Sequence, residues 1–336
     1  MFAAASSGRA NLAKILVTGA AGFIGAAVCH ALVARGDSVL GVDNLSPYYD
    51  VALKEARLAR LAGNGNFDFC RADIADRNAM MALAGRGVTA IMHLAAQPGV
   101  RYSLENPFAY VTANVMGQAV MLELARVLHA SGDLRHFVYA SSSSVYGANE
   151  KTPFAVRDPV EHPNSLYAAT KRADELFSHT YAHLYGIACT GLRFFTVYGP
   201  WGRPDMAPIL FASAIAKGKP ITVFNHGEMW RDFTFIDDIV NGVLKALDRP
   251  ACGIPPTALY NLGNNKPEKL TDFITEIEKA LGKKAEKVMA PMQPGDVPST
   301  YADIEDSRRD LGFQPATPIS VGIPKFIAWF RDYYRI

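Results

Sequence analysis

Lys14-Ile15-Leu16-Val17-Thr18-Gly19-Ala20-Ala21-Gly22-Phe23-Ile24-Gly25 is the stretch on which the fold turns. Its first five residues form a short apolar, β-rich run. Glycine then recurs at every third position, and Ala26 to Arg35 has helical composition with apolar residues at helical spacing. Strand, glycine turn and helix follow one another. The first glycine allows a tight turn, the second lets backbone approach a pyrophosphate at the helix N-terminus, and the third lets helix and strand pack closely.

Working outward, the strand Ser38-Val39-Leu40-Gly41-Val42 ends at Asp43, roughly 20 residues past the glycines. A carboxylate there accepts from the adenosine ribose hydroxyls and repels a 2′-phosphate, so the expected cofactor is NAD. Asn44 stands beside it as a second ribose ligand. Phe67 to Ala72 leads to Asp73-Ile74, an adenine position in such domains. Ala90 to Ala96, His136 to Ala140 and Ala188 to Phe195 read as further strands. His93 is expected to be a packed strand-end histidine. Strands alternating with helices at this period predict an α/β fold, a Rossmann-type doubly wound parallel sheet with right-handed crossovers and ligands at the C-terminal strand ends.

After Phe195 glycine and proline become frequent and the alternation breaks down. The expected organisation is an NAD-binding domain over 14–195, including the Tyr167 helix, and a smaller mixed α/β substrate lobe over 196–330, interleaved with the first. At 336 residues the chain has room for both. A net charge of +2 with 20% charged residues gives no reason to expect nucleic acid or an anionic membrane as partner. The four cysteines, Cys29, Cys70, Cys189 and Cys252, lie far apart among apolar neighbours and read as reduced core residues, with no metal site. No apolar run reaches the roughly 18 residues needed to span a bilayer, and Met1 to Ala13 lacks the apolar segment of a signal peptide. A cytoplasmic, soluble protein is expected.

Two stretches carry chemistry. Ser141-Ser142-Ser143-Ser144-Val145-Tyr146-Gly147 places four hydroxyls at the mouth of a strand. Tyr167-Ala168-Ala169-Thr170-Lys171 opens a helix behind Asn164-Ser165, which puts Tyr167 and Lys171 on one helix face. A tyrosine ionising near 10 is a poor base at neutral pH, and a neighbouring cation favours its phenolate.

Glycine loop, Asp43, serine cluster and Tyr167 with Lys171 together resemble the extended short-chain dehydrogenase/reductase superfamily, in its nucleotide-sugar epimerase and dehydratase branch. The likeness runs from Lys14 to about Trp329. It implies a tightly bound NAD regenerated in each turnover, with Tyr167 as acid/base. Lys171 would lower its pKa and hold the nicotinamide ribose, and Ser142 would polarise the sugar 4-oxygen, with Ser143 or Ser144 as alternatives. Cofactor positions match at Gly19, Gly22, Phe23, Ile24, Gly25, Asp43, Asn44, Asp73, Ile74, Leu94, Ala95, Ala96 and Asn114.

Sugar dehydratases resemble one another in carrying Asp-Glu before Val-Tyr-Gly, and UDP-glucuronate decarboxylases carry Glu there. Here Ser143-Ser144 stands instead, so C4 epimerisation is what remains. Asp43 to Asp50 with Leu53-Lys54, Pro98 to Ser103, and Phe195 to Met206 resemble the UDP-glucuronate 4-epimerases. That resemblance makes Arg203, with Thr196 and Ser144, a cradle for the substrate carboxylate. It puts Arg231 on the diphosphate, Thr222 and Phe224 near uracil, and Arg101 and Asp296 along the sugar-nucleotide cleft. It also implies a homodimer joined through about 107–131 and 166–186. The expected reaction is reversible conversion of UDP-glucuronate to UDP-galacturonate through a transient 4-ketone, which would serve polysaccharide biosynthesis. Alternatives are a UDP-glucose/UDP-galactose-type 4-epimerase, a UDP-glucuronate decarboxylase, and a non-catalytic nucleotide-sensing module.

Overall fold

The computed structural model describes residues 13–293 and 297–336. Residues 1–12 and Asp296 lie outside the described residues. The first half alternates as its periodicity predicts: β1 (Lys14–Thr18), α1 (Phe23–Arg35), β2 (Ser38–Asp43), α2 (Val51–Ala59), β3 (Phe67–Arg71), α3 (Arg77–Met81) and β4 (Ala90–His93). Then come α4 (Tyr102–Glu105), α5 (Pro107–Tyr110), a π-helical turn at Val111–Met116, and α6 (Gly117–Ala130). The alternation closes with β5 (His136–Ser142), α7 (Leu166–Tyr185) and β6 (Cys189–Phe194).

Beyond residue 195 the elements are shorter. They are β7 (Thr196–Tyr198), α8 (Ala207–Ala216), β8 (Ile221–Val223), β9 (Trp230–Arg231), β10 (Phe233–Phe235) and α9 (Ile236–Leu247). The remainder is β11 (Thr257–Leu262), β12 (Glu268–Lys269), α10 (Leu270–Leu281), β13 (Lys287–Met289), α11 (Glu305–Leu311) and α12 (Ile319–Tyr334).

Seven strands form one sheet in the order β11-β6-β5-β4-β1-β2-β3, and every neighbouring pair is parallel. The order reverses between β1 and β4. That reversal opens a crevice beyond the strand C-termini, where ligands settle in sheets of this type. The seventh strand, β11, comes from the later part of the chain and pairs β6 from Thr257↔Cys189 to Leu262↔Phe194.

Both faces of the sheet are covered, so its central strands are apolar throughout. Alternate residues go to opposite sides: Ile15 and Val17 join Val39, Met92 and Val138, while Leu16 joins Leu40, Ile91 and Phe137. The first cluster continues into Phe273, Phe313 and Phe326, so one core carries the C-terminal helices on the sheet. Asp232 ties segments of the later part of the chain to one another. Its buried carboxylate accepts from the amides of Asn264, Asn265 and Ala302 and from Thr234 Oγ1, the last at 3.3 Å.

The cysteines depart in part from expectation. Cys29 and Cys189 are buried and Cys70 half-buried, but Cys252 is exposed. It lies in the loop between α9 and β11, where flanking apolar residues do not imply a core. All four are free thiols. Among the described residues no helix is long and apolar enough to cross a membrane, and no His/Cys/Asp/Glu cluster is placed to hold a metal.

Candidate active site

A cleft of about 1060 Å³ opens at the C-terminal strand ends. This exceeds the roughly 300–1,000 Å³ of a pocket for one small ligand. Gly19, Gly22, Phe23, Ile24 and Gly25 form one wall. A Cβ on Gly25 would lie 2.0 Å from the Gly19 carbonyl oxygen, and one on Gly19, at φ +72°, 2.9 Å from the Ala95 amide nitrogen. Neither position tolerates a side chain. Gly22 is the α1 N-cap and contributes no side-chain cap, so the first-turn amides remain available to an anion.

Asp43 is buried at the end of β2. One of its oxygens accepts from Ala21 N at 3.1 Å and the other from Leu45 N at 2.8 Å, which aims the carboxylate and leaves lone pairs for a ribose. Asn44 donates to Asp73 at 2.8 Å, linking the β2 and β3 ends. Asp73, Ile74, Leu94, Ala95 and Ala96 complete this side of the cleft. These residues fit a dinucleotide: an uncapped helix N-terminus, a glycine cradle and a buried acceptor stand in the order that pyrophosphate and ribose require. Asn114 sits elsewhere. It is buried behind the wall, accepting from Gln97 N at 2.7 Å and donating to Thr170 Oγ1 at 2.9 Å. It joins the β4 loop to α7.

On the opposite wall, Ser165 Oγ accepts from Ala168 N at 3.1 Å and starts α7, placing Tyr167 in its first turn and Lys171 one turn on. Both line the cleft. The Tyr167 ring meets Tyr110 edge to face at 6.0 Å. Lys171 is buried, and its Nζ donates to Ala140 O at 2.9 Å and to Asp174 Oδ2 at 3.0 Å. Burial pushes the Asp174 carboxyl up to about 6, although Lys171 pulls the other way.

The serines divide by direction. Ser141 is turned inward and donates to Glu175 Oε1 at 2.6 Å. Ser142 Oγ accepts from Ser144 N at 3.1 Å and donates to Ser144 Oγ at 3.2 Å, capping a short 3-10 turn. Ser142, Ser143 and Ser144 all border the cleft. Glu175 and Arg193 form a buried pair behind them, at 2.8 and 2.9 Å.

Thr196, Arg203, Thr222, Phe224 and Arg101 line the remaining wall. Arg203 Nε and Nη2 bind Asp205 at 3.1 and 2.5 Å, and Tyr48 Oη donates to the same carboxylate at 3.0 Å. Burial opposes the Arg203 charge, but Asp205 outweighs it and the guanidinium is held above its usual value. Burial, then Asp205, pushes Tyr48 up to about 12. Arg101 lies 5.3 Å from the Phe224 ring centroid, joining the segment after β4 to that after β8. Arg231 does not border the cleft; it donates to the carbonyls of Trp230 and Pro298.

Asp174, Asp205, Tyr48 and Lys54 are site features that motif reading left unassigned. Lys54 lines the cleft with its Nζ 4.7 Å from the Tyr49 ring centroid. The available signals were spacings: an acid three residues after Lys171, and another two after Arg203.

Such a cleft is suited to moving a hydride and a proton from one carbon centre, the work of dinucleotide-dependent enzymes of the short-chain dehydrogenase type. The chain belongs to the NAD dependent epimerase/dehydratase family, whose model matches residues 15–263. It is 47% identical to UDP-glucuronate 4-epimerase 4 of Arabidopsis thaliana, over 96% of this chain and 76% of that protein. It is 45% identical to protein CapI of Staphylococcus aureus, over 96% and 99%. Its fold matches the crystal structure of UDP-glucuronic acid 4-epimerase from Bacillus cereus in complex with UDP-glucuronic acid and NAD. That match has a TM-score of 0.88 at 35% identity and covers 96% of this chain and all of the other.

Proposed function

We propose that the protein is an NAD-dependent 4-epimerase that interconverts UDP-glucuronate and UDP-galacturonate. The observation that carries the reading is the meeting of Tyr167, Lys171 and Ser142 to Ser144 in the cleft that also holds the glycine loop, with no carboxylate at the serine positions. The relatives and the solved neighbour support the sugar.

NAD, when bound, takes and returns the hydride of C4. The loop Gly19 to Gly25 and Asp43 would hold its pyrophosphate and adenosine ribose, and Lys171 its nicotinamide ribose. Tyr167 Oη removes the proton of the 4-hydroxyl and later gives it back. Ser142 would offer its hydroxyl proton to the sugar 4-oxygen, turning it away from Ser144 Oγ, which lies 3.2 Å off and stays free for the carboxylate. The cleft leaves room for the ketosugar to turn and present its other face. With serine at 143 and 144, these two positions supply no carboxylate to abstract the C5 proton.

A 4-ketone beside the C5 carboxylate makes a β-keto acid, prone to lose CO2. Arg203 would hold the carboxylate through Nη1, its other nitrogens being bound to Asp205, with Thr196 and Ser144 assisting. Phe224 and Thr222 would face the uracil, while Arg101, and from outside this cleft Arg231, would serve the diphosphate. A homodimer belongs to the same reading. Leu104, Phe108, Val111 and Met116 are exposed on the segment preceding α6, and Leu176, Leu184 and Tyr185 on α7, which gives these faces an apolar surface to bury. A cytoplasmic setting and a supply of galacturonate for polysaccharide are the corresponding biology.

UDP-[4-²H]glucuronate tests the reading. Product UDP-galacturonate is expected to keep deuterium at C4, and Tyr167→Phe to abolish its formation. Loss of the label to solvent would contradict a returned hydride.

A further inference from the structure

Lys171 does not stand alone as a cation. One turn further along α7, Asp174 is 1% exposed and its Oδ2 lies 3.0 Å from Lys171 Nζ. Its other oxygen, Oδ1, is buried with no hydrogen-bond partner. Half of this carboxylate is therefore stripped of water without compensation, an arrangement that costs stability and calls for an explanation. Ala140 O, the second Lys171 partner, is neutral. Asp174 is thus the counter-charge to Lys171, the cation one turn after Tyr167 on α7.

We propose that Asp174 is a positioning residue for the proton-transfer pair, holding Lys171 against β5 while opposing its charge, so that Tyr167 ionises at higher pH than Lys171 alone would set. This rests on the reading of Tyr167 and Lys171 given above. Arg203 also faces Tyr167, but as a second cation it adds to the Lys171 charge, and the other surroundings offer little that could oppose it. On α7 the charged neighbours are Lys171 and Glu175, and Glu175 is committed to Arg193 of β6. From β5 comes the buried phenol of Tyr139, and from β6 the buried thiol of Cys189 beside it. β4 contributes His93, which faces Lys171 and is kept neutral, pushed down to about 3 by burial and then by that cation. Tyr146, in the serine turn, is bonded to Asn261. α6 brings the neutral Gln118, bonded to Ser178, and the π-helical turn brings Asn114, bonded to Thr170. Tyr102 of α4 contacts Tyr110 of α5, which in turn meets Tyr167.

The size of the effect follows from helix geometry. Seven residues of α-helix rise about 10 Å, and a unit charge at that distance in an effective dielectric of ~20 moves a titration by about one pKa unit. The burial of Asp174, which holds its own titration near 6, makes the opposition strongest above that pH and weakest below it.

The test follows Tyr167 directly, in holoprotein carrying ¹³C in the tyrosine ring and with Tyr167→Phe assigning the resonance. In Asp174→Asn, which keeps an acceptor for Lys171 and loses the charge, the Tyr167 titration is expected to fall by about one unit. The acid limb of kcat should fall with it. Asp174→Glu, which keeps the charge, should leave both near the parent values. A Tyr167 titration in Asp174→Asn that superimposes on the parent's would overturn the proposal. Should Asp174→Asn not fold, the parent decides: its Tyr167 resonance should show a minor inflection where Asp174 titrates besides its own, and a single inflection would overturn the proposal. Failure of the underlying reading looks different, since the parent would then not interconvert the two UDP-sugars while the ring resonance still reports on Asp174.

Discussion

Glu175→Gln should destabilise the protein far more than its distance from the cleft surface suggests. Glu175 and Arg193 side chains are each 1% exposed and joined at 2.8 and 2.9 Å, and Ser141 donates to the same carboxylate at 2.6 Å. Arg172, itself 28% exposed, adds a second cation at 3.0 Å, but a pair reaching solvent contributes little. Neutralising Glu175 leaves the Arg193 guanidinium buried with one backbone acceptor, Val156 O at 3.0 Å. Breaking such a pair costs about 3–5 kcal/mol. At ~2 °C per kcal/mol, appropriate to a long chain, Tm falls by about 6–10 °C. The double variant Glu175→Leu/Arg193→Met removes both charges and should recover most of that loss. Urea unfolding followed by circular dichroism, at fixed NAD concentration, gives all three values. The reasoning is refuted if the single variant loses less than about 1 kcal/mol, or if the double variant loses the sum of both single changes. Because Ser141 adjoins Ser142, the single variant should also lower kcat more than it raises KM.

Gly25→Ala should yield protein purified without NAD, read by absorbance after acid release, because its Cβ would sit 2.0 Å from Gly19 O; full retention of NAD would show that the loop is not the cradle. Arg203→Ala should raise KM for UDP-glucuronate and release more UDP-4-keto-pentose than the parent; unchanged values of both would remove Arg203 from the carboxylate. His136, held between Leu247 O at 3.0 Å and Thr190 Oγ1 at 2.9 Å, is pushed down to about 4 by burial. Its folded titration lies below its unfolded one near 6.5, so its contribution is present above about pH 6.5 and is lost as pH falls toward 4. His136→Gln should therefore destabilise less at pH 5 than at pH 7.5, by about 2 kcal/mol in urea unfolding; an equal loss at both would mean His136 is not buried neutral. A thiol reagent should modify Cys252 rapidly in native protein and leave Cys29 and Cys189 untouched until unfolding; protection of Cys252 in a peptide map would contradict its exposure.

Local signals made much of this legible. β1, the glycine turn and α1 are contiguous, so their composition specifies them without help from the rest of the chain. Asp43 and the α7 start behind Ser165 follow from the same short-range rules. The place of β11 as the seventh strand is not legible locally, because its pairing with β6 joins residues more than sixty apart in sequence. The partners of charged side chains were equally hidden: Asp205 two residues from Arg203, and Asp174 three from Lys171, become pairs only once the backbone sets their directions. Asn114 shows the same limit, since facing the cleft or standing behind its wall depends on the local π-helical register.

The most direct measurement is incubation of the purified holoprotein with UDP-glucuronate, with no cofactor added, and resolution of the products by NMR. The account predicts UDP-galacturonate accumulating to an equilibrium mixture with no net NADH. Release of UDP-xylose or a 4-keto-pentose as the main product, or turnover of UDP-glucose in place of UDP-glucuronate, would contradict it.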